Sequence, residues 1–190
     1  GFMDRKPWPL SSIPREKFPL LLHYHPMVIY RHQVCKQADT VLAMLLLPHR
    51  FTLAEQRTAF DYYDRVTTHD SSLSMAAFSA VASRVGNLEK GYAYFRETAR
   101  LDLDDTHGNT RDGLHMANMA GAWGFGGMTV TAEGIAFDPR LPAQLRGYGF
   151  RAAYQGRVIE VRVDAQGPHY ALISGQPLTI RDRGQEITLQ

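Results

Sequence analysis

The spacing of apolar residues changes once along this chain, near Met128, and that change constrains the fold more than any other feature. Before it, apolar residues recur at three- and four-residue steps; after it, they alternate. The pattern predicts a multi-domain chain, α then β, with a helical part over residues 1–128 and a strand-built domain over 129–190. In the first part, Thr52 and Glu55 form a capping box ahead of a helix through Tyr63. Leu73 to Val85 reads as a small-residue helix ended by Gly86, suited to a left-handed C-terminal cap. Asn87 caps the next helix, Leu88 to about Leu101, whose Tyr92, Phe95 and Ala99 share a face. Met27 to Leu47 reads as helical between Pro26 and Pro48, and Gly113 to Trp123 as another short helix. These segments suit stacked antiparallel helix pairs. They are apolar on more than one side, as helices covered by a larger body are.

In the second part, Arg157 to Asp164 places Ile159, Val161 and Val163 on one face and Glu160 and Arg162 on the other. Gly147 to Tyr154, His169 to Ile173, Leu178 to Arg181 and Gln185 to Leu189 are further strands. Turn signals lie between them at Gln155-Gly156, Gln166-Gly167-Pro168, Gly175 and Arg183-Gly184. Short strands at this spacing predict a small antiparallel β-sandwich.

Composition narrows the function classes. With 44% hydrophobic and 21% charged residues the chain can build a core. Its net charge is +2 and its Arg and Lys are scattered, so a nucleic-acid partner is not expected. The apolar run Val41 to Leu47 is far shorter than the roughly 20 residues of a membrane span, and the N-terminus has no basic-then-apolar leader. The single cysteine, Cys35, permits no intrachain disulfide, which points to a reducing compartment such as the cytoplasm.

Three segments are polar where the pattern implies burial. Lys36-Gln37-Ala38-Asp39 interrupts an apolar stretch, and polar side chains there need partners. A cluster of sugar hydroxyls is one such partner; a Lys reaching to the surface beside a capping Asp is another reading. Thr67-Thr68-His69-Asp70-Ser71-Ser72-Leu73-Ser74 gathers hydroxyls, an imidazole and a carboxylate before a helix whose N-terminus suits an anion. Capping by Ser71 or Ser72 also accounts for it. Thr110-Arg111-Asp112-Gly113-Leu114-His115-Met116-Ala117-Asn118-Met119-Ala120-Gly121 places His115 and Asn118 on one face, and its small residues permit close approach of a ligand or of a packed neighbour. The histidines, among them His23, His25, His32, His69, His107 and His115, match no familiar zinc spacing, so no metal is expected. Gly124-Phe125-Gly126-Gly127 lacks the preceding strand of a nucleotide-binding loop.

Taken in order, these segments resemble glycoside hydrolase family 65, the maltose, trehalose and kojibiose phosphorylases. The resemblance rests on Tyr30-Arg31-His32-Gln33-Val34 with Lys36-Gln37-Ala38-Asp39, on Phe60-Asp61-Tyr62-Tyr63, and on Thr68 through Ser74. It continues through Ala99 to Asp105, Asn109 to His115, Met119-Ala120-Gly121-Ala122-Trp123 and Phe137-Asp138-Pro139-Arg140-Leu141-Pro142, and so covers nearly the whole chain. It implies the last helices of an (α/α)6 barrel, followed by a jelly-roll-like β-sandwich. It further implies an inverting phosphorylase that cleaves an α-glucoside with inorganic phosphate as co-substrate and no other cofactor. Lys36 and Gln37 would bind the glucosyl unit. Thr68, His69, Ser71, Ser72, His115, Asn118, Ala120 and Gly121 would surround the phosphate.

The family's general acid, a Glu upstream of the Lys36–Gln37 pair, is expected outside these 190 residues, so the fragment would be inactive alone. Asn118 stands where phosphorylases tend to have Ser, and several helical residues are missing between Trp123 and Gly124. Two alternatives stay open. One is a hydrolase in which Asp112 or Asp70 activates water; the other is a non-catalytic module binding sugars or partners. Bare apolar helix faces also predict association, as a homo-oligomer or with another partner.

Overall fold

The computed structural model of the chain describes residues 2–105, 110–112 and 119–190. The helical part contains α1 (Pro26–Ile29), α2 (Asp39–Leu46), α3 (Leu53–Val66), α4 (Ser74–Arg84) and α5 (Leu88–Arg100), with a π-helical segment at Ala120–Phe125. Thr52 and Glu55 cap α3 reciprocally, and the Asn87 side chain accepts the Lys90 N–H of α5. Gly86, at φ 90°, closes α4 while the Asn87 N–H returns to the Ala82 carbonyl.

The helix expected from Met27 to Leu47 is two short helices with an extended stretch between them. Its cause is not local. The Cys35 N–H donates to the Val66 carbonyl at 2.8 Å, and the Thr68 N–H donates to the Cys35 carbonyl at 2.8 Å. This parallel bridge between Cys35 and Thr67 pulls the Gln33–Gln37 backbone out of helical geometry.

Helix α4 is the centre of the helical part, buried continuously from Ala76 to Ser83. Its small side chains let neighbours approach closely. A Cβ on Gly91 of α5 would stand 2.5 Å from the Ser83 Oγ, and one on Gly124 would stand 2.9 Å from the Ala80 Cα. Two buried serines of α4 are satisfied at this range: Ser79 Oγ donates to the Gly91 carbonyl at 2.7 Å, and Ser83 Oγ to the Ser79 carbonyl at 2.8 Å. Val41, Leu45, Phe60, Phe78 and Val81 complete this core. The helix expected to end at Trp123 runs on as the π segment to Phe125, which is 1% exposed. Its residues 113–118 lie outside the described residues.

The second part is a two-sheet sandwich. One sheet has the order β1-β2-β6-β7, from Thr129–Thr131, Gly134–Phe137, Leu178–Asp182 and Gln185–Leu189. The other is the meander β3-β4-β5, from Gly147–Tyr154, Arg157–Asp164 and Gly167–Ser174. Ile135, Phe137, Ile180 and Leu189 of the first pack with Ala152, Ile159, Val161 and Val163 of the second. The expectation of a purely antiparallel sandwich needs correction, because β2 and β6 pair in parallel. After the meander the chain returns to the edge that β1 leaves open on β2, and it arrives there in the same direction as β2.

The two parts are joined at Phe125, whose carbonyl accepts the Arg140 N–H at 2.8 Å and the Tyr148 hydroxyl at 2.7 Å. The Arg140 guanidinium reaches back to the Ser83 carbonyl at 3.0 Å. The accessible surface is 11317 Å², whereas a compact monomer of 21.4 kDa exposes about 9,100 Å². Part of the excess is apolar: Leu21, Leu22, Met27, Val28, Leu46 and Leu47 are all exposed. Among the described residues, no helix is long and apolar enough to cross a membrane.

Candidate functional site

The bridge at Cys35 does more than break a helix. It sets the Lys36–Gln37 bend directly beside the Thr68–Ser72 turn, two segments with 30 residues of sequence between them. Thr68 reinforces the bridge, its hydroxyl donating to the Cys35 carbonyl at 3.3 Å. Lys36 and Gln37 are exposed, and Gln37 Nε2 donates to Asp39 Oδ1 at 3.1 Å. A small cleft of ≈ 50 Å³ lies between Gln37 and the start of α4, lined by Gln37, Asp39, Leu73, Ser74 and Phe78. The turn itself, at Thr68, His69 and Asp70, borders a wider hollow of ≈ 530 Å³ with Arg15, Phe18 and Leu22.

Helix α4 begins at Ser74, and its N-cap, Leu73, makes no side-chain cap. Capping by Ser71 or Ser72 therefore does not explain these residues: their part is to shape the turn, with the Ser71 carbonyl accepting the Ser74 N–H at 3.0 Å. The backbone reaches this arrangement through His69, which adopts φ 57°. Asp70 is already engaged, its carboxylate accepting the Leu20 N–H at 3.3 Å.

The His69 ring is wedged between Phe78 at 4.6 Å and Tyr94 at 5.0 Å. Nδ1 lies 2.9 Å from the Ser74 Oγ, and Nε2 lies 3.2 Å from the Tyr94 hydroxyl. Tyr94 in turn donates to Asp64 Oδ1 at 2.7 Å, and Asp64 is paired with Lys90. Both imidazole nitrogens thus face protein partners. Sequence reasoning did not find Asp64, Lys90 or Tyr94; only the packing of α3 and α5 on the turn brings them to it.

Burial pushes the His69 imidazole down to about 4, while the Asp64 charge pulls it up and Lys90 pushes it further down. Folded His69 is neutral where an unfolded histidine already binds a proton. Its contribution to stability is complete above about pH 6.5 and is lost as the pH falls toward 4, by about 3 kcal/mol in all. Urea unfolding followed from pH 7 to pH 4 is expected to show this loss. His69→Gln should flatten that segment of the profile, and an unchanged slope in the variant would refute the assignment.

Ala120 is fully buried, and a Cβ on Gly121 would meet nothing within 4 Å. Both stand in the π segment, which packs on α4; π turns in helices are often found at functional sites. His115 and Asn118 lie outside the described residues, and Asp112 is described only by its backbone, in a short 3-10 turn at Thr110–Asp112. Among the described residues, no three His, Cys, Asp or Glu side chains form a group able to hold a metal ion.

Comparison with known proteins places this arrangement in a wider setting. The sequence pattern described as "Glycosyl hydrolase family 65 central catalytic domain" matches residues 1–124, and that described as "Glycosyl hydrolase family 65, C-terminal domain" matches residues 128–189. The alpha,alpha-trehalose phosphorylase of Geobacillus stearothermophilus is 49% identical over 190 residues, covering 97% of this chain and 25% of that protein. The alpha,alpha-trehalose phosphorylase of Thermoanaerobacter brockii is 43% identical over 195 residues, covering 100% of this chain and 25% of that protein. A solved structure, a putative kojibiose phosphorylase from human microbiome, superposes with a TM-score of 0.88 at 29% identity, over 100% of this chain and 26% of that one. The chain thus spans about a quarter of the length of the curated relatives it matches.

Proposed function

The chain belongs to glycosyl hydrolase family 65, and on that premise we propose that it is part of an inverting disaccharide phosphorylase. The reaction cleaves an α-glucoside with inorganic phosphate to β-glucose 1-phosphate and a sugar. Trehalose is the first substrate to test, because the two curated relatives at 49% and 43% identity are trehalose phosphorylases. Helices α1 to α5 and the π segment are then the last helices of an (α/α)6 barrel, and their exposed apolar residues face the remainder of that barrel or a second subunit. The general acid is supplied from outside these 190 residues.

One observation carries this reading: the Cys35 bridge sets the Lys36–Gln37 bend beside the hydroxyl-lined turn of Thr68, Ser71 and Ser72. An inverting glycosidase needs an acid for the leaving oxygen and a base-activated water on the opposite face. Phosphate is already an anionic nucleophile, so the base is replaced by donors that hold it. Lys36 and Gln37 anchor the glucosyl hydroxyls. Ser71 and Ser72, the start of α4, and the Ala120–Gly121 backbone hold phosphate behind the anomeric carbon, while the Thr68 hydroxyl, which donates to the Cys35 carbonyl, fixes the turn. His69 adds no charge; it braces the turn. Of the two carboxylates in the hydrolytic alternative, Asp70 has one oxygen engaged by the Leu20 amide.

The test is release of β-glucose 1-phosphate from trehalose, maltose and kojibiose by the gene-length protein, with and without phosphate. Strictly phosphate-dependent turnover is expected there, and none from the 190 residues alone. Free glucose released at the same rate without phosphate would replace the phosphorylase by a hydrolase. Turnover by the 190 residues alone would place an acid within them.

A further inference from the structure

A line of hydrogen bonds runs from the surface to the start of α4: Lys90, Asp64, Tyr94, His69, Ser74. Donor and acceptor chemistry, with the burial of the ring, sets the direction of its protons. The Asp64 carboxylate only accepts, and it lies 2.7 Å from the Tyr94 hydroxyl, so that single proton points to Asp64. The Tyr94 oxygen therefore has only lone pairs left for His69, and Nε2 must carry the hydrogen. Burial favours the neutral ring, so Nδ1 is bare and accepts the Ser74 hydroxyl at 2.9 Å. Two aromatic walls, Phe78 and Tyr94, prevent the ring from turning out of this register. The Asp64 side chain is only 10% exposed, and the Ser74 residue 4%, so water does not compete along the line.

We propose that Tyr94 and Asp64 are positioning residues of the phosphate turn, acting by holding His69 in the neutral, Nε2–H tautomer. Resting on the phosphorylase reading, this assigns the specificity of the turn for its anion to a pair of residues that touch neither substrate. The locked ring holds the left-handed backbone at His69 and the first residue of α4 together, and the Ser71 and Ser72 donors sit on that frame. An imidazolium at His69 would need Ser74 to accept instead, which would reverse the last link. The function of the line is thus to present phosphate with a fixed set of neutral donors.

Asp64→Asn tests the order of protons without changing shape. The amide oxygen of the new side chain faces the Lys90 ammonium, so its NH₂ faces Tyr94. Tyr94 then accepts from it and donates to Nε2, and His69 becomes the Nδ1–H tautomer. Two-bond ¹H–¹⁵N spectra of the histidine-labelled gene-length protein at pH 7, with His69 assigned by His69→Gln, read this directly. Nε2–H is expected in the native protein and Nδ1–H in D64N; Tyr94→Phe is expected to lose the single-tautomer pattern. In both variants the KM for phosphate is expected to rise roughly tenfold, while the KM for trehalose stays within about twofold.

An imidazolium or an Nδ1–H ring in the native protein would overturn the proposal, as would a D64N protein with an unchanged tautomer or an unchanged phosphate KM. Absence of any phosphate-dependent turnover in the native protein would instead sink the phosphorylase reading, and the spectra would still decide the proton order.

Discussion

Phe78→Ala is expected to lower stability by about 3–5 kcal/mol, the range for deleting a buried phenyl ring, and to weaken phosphate binding at the same time. Phe78 is 1% exposed and stands where the core meets the turn. Its ring contacts Phe60 at 5.8 Å on the core side, and His69 at 4.6 Å and Tyr94 at 5.7 Å on the site side. The cavity left by the truncation opens under the His69 imidazole, so the ring gains room to leave its register with Ser74 and Tyr94. Around it, α4 is held by close backbone contacts at Gly91 and Gly124 and cannot collapse into the space. Guanidinium unfolding against the native protein gives the first quantity, and a loss under about 1.5 kcal/mol would show that the site relaxes more freely than this packing allows. Phe78→Leu fills most of the volume and should recover most of the stability, but it leaves His69 without its edge-on aromatic wall.

How much of this could be read from residues alone depended on the range of the interactions involved. The Thr52–Glu55 box, the Gly86 stop and the Asn87 cap are contacts within three to five residues, and each stands where its motif places it. The alternation in Arg157–Asp164 likewise maps onto β4, because one face of the strand is buried against the facing sheet. What failed was non-local. Nothing around Gln33–Gln37 announces that Cys35 will pair with the backbone at Val66 and Thr68, so an apolar stretch reads as helix. The parallel pairing of β2 with β6 depends on where the chain re-enters after a meander, and the three-residue β1 is too short to show a period.

The site was legible in the same uneven way. Lys36, Gln37 and the Thr68–Ser72 turn stand out as polar residues in apolar surroundings, and the fold sets them side by side. His69 was legible as a residue but not in its state. Its partners Asp64 and Tyr94 lie on helices either side of α4 in sequence, with no spacing rule joining them. The one available signal was burial: a carboxylate at Asp64 on the inner part of α3 needs a partner within reach.

Gly127→Ala is expected to loosen the join between the helical part and the sandwich, at a cost of about 2–4 kcal/mol. Gly127 stands at φ 58°, where a side chain is already disfavoured. The larger obstacle is space. A Cβ there would lie 2.4 Å from the Asp138 carbonyl oxygen and 2.7 Å from the Asp138 C and N, all of them backbone, so no rotamer change relieves the overlap. Moving Asp138 moves Arg140 two residues on, and with it the bonds to the Phe125 and Ser83 carbonyls that bind the two parts together. Gly156→Ala separates the two contributions, because Gly156 has φ 76° but open space around its absent Cβ. The G156A protein should therefore lose only about 1 kcal/mol, for backbone conformation alone. Urea unfolding of both variants, with limited proteolysis of the 126–140 segment, measures the difference. Faster cleavage in G127A and native-like resistance in G156A is the expected pair of results. Equal behaviour of the two would mean that the overlap with Asp138 is relieved at no cost, and that the junction is not held by this contact.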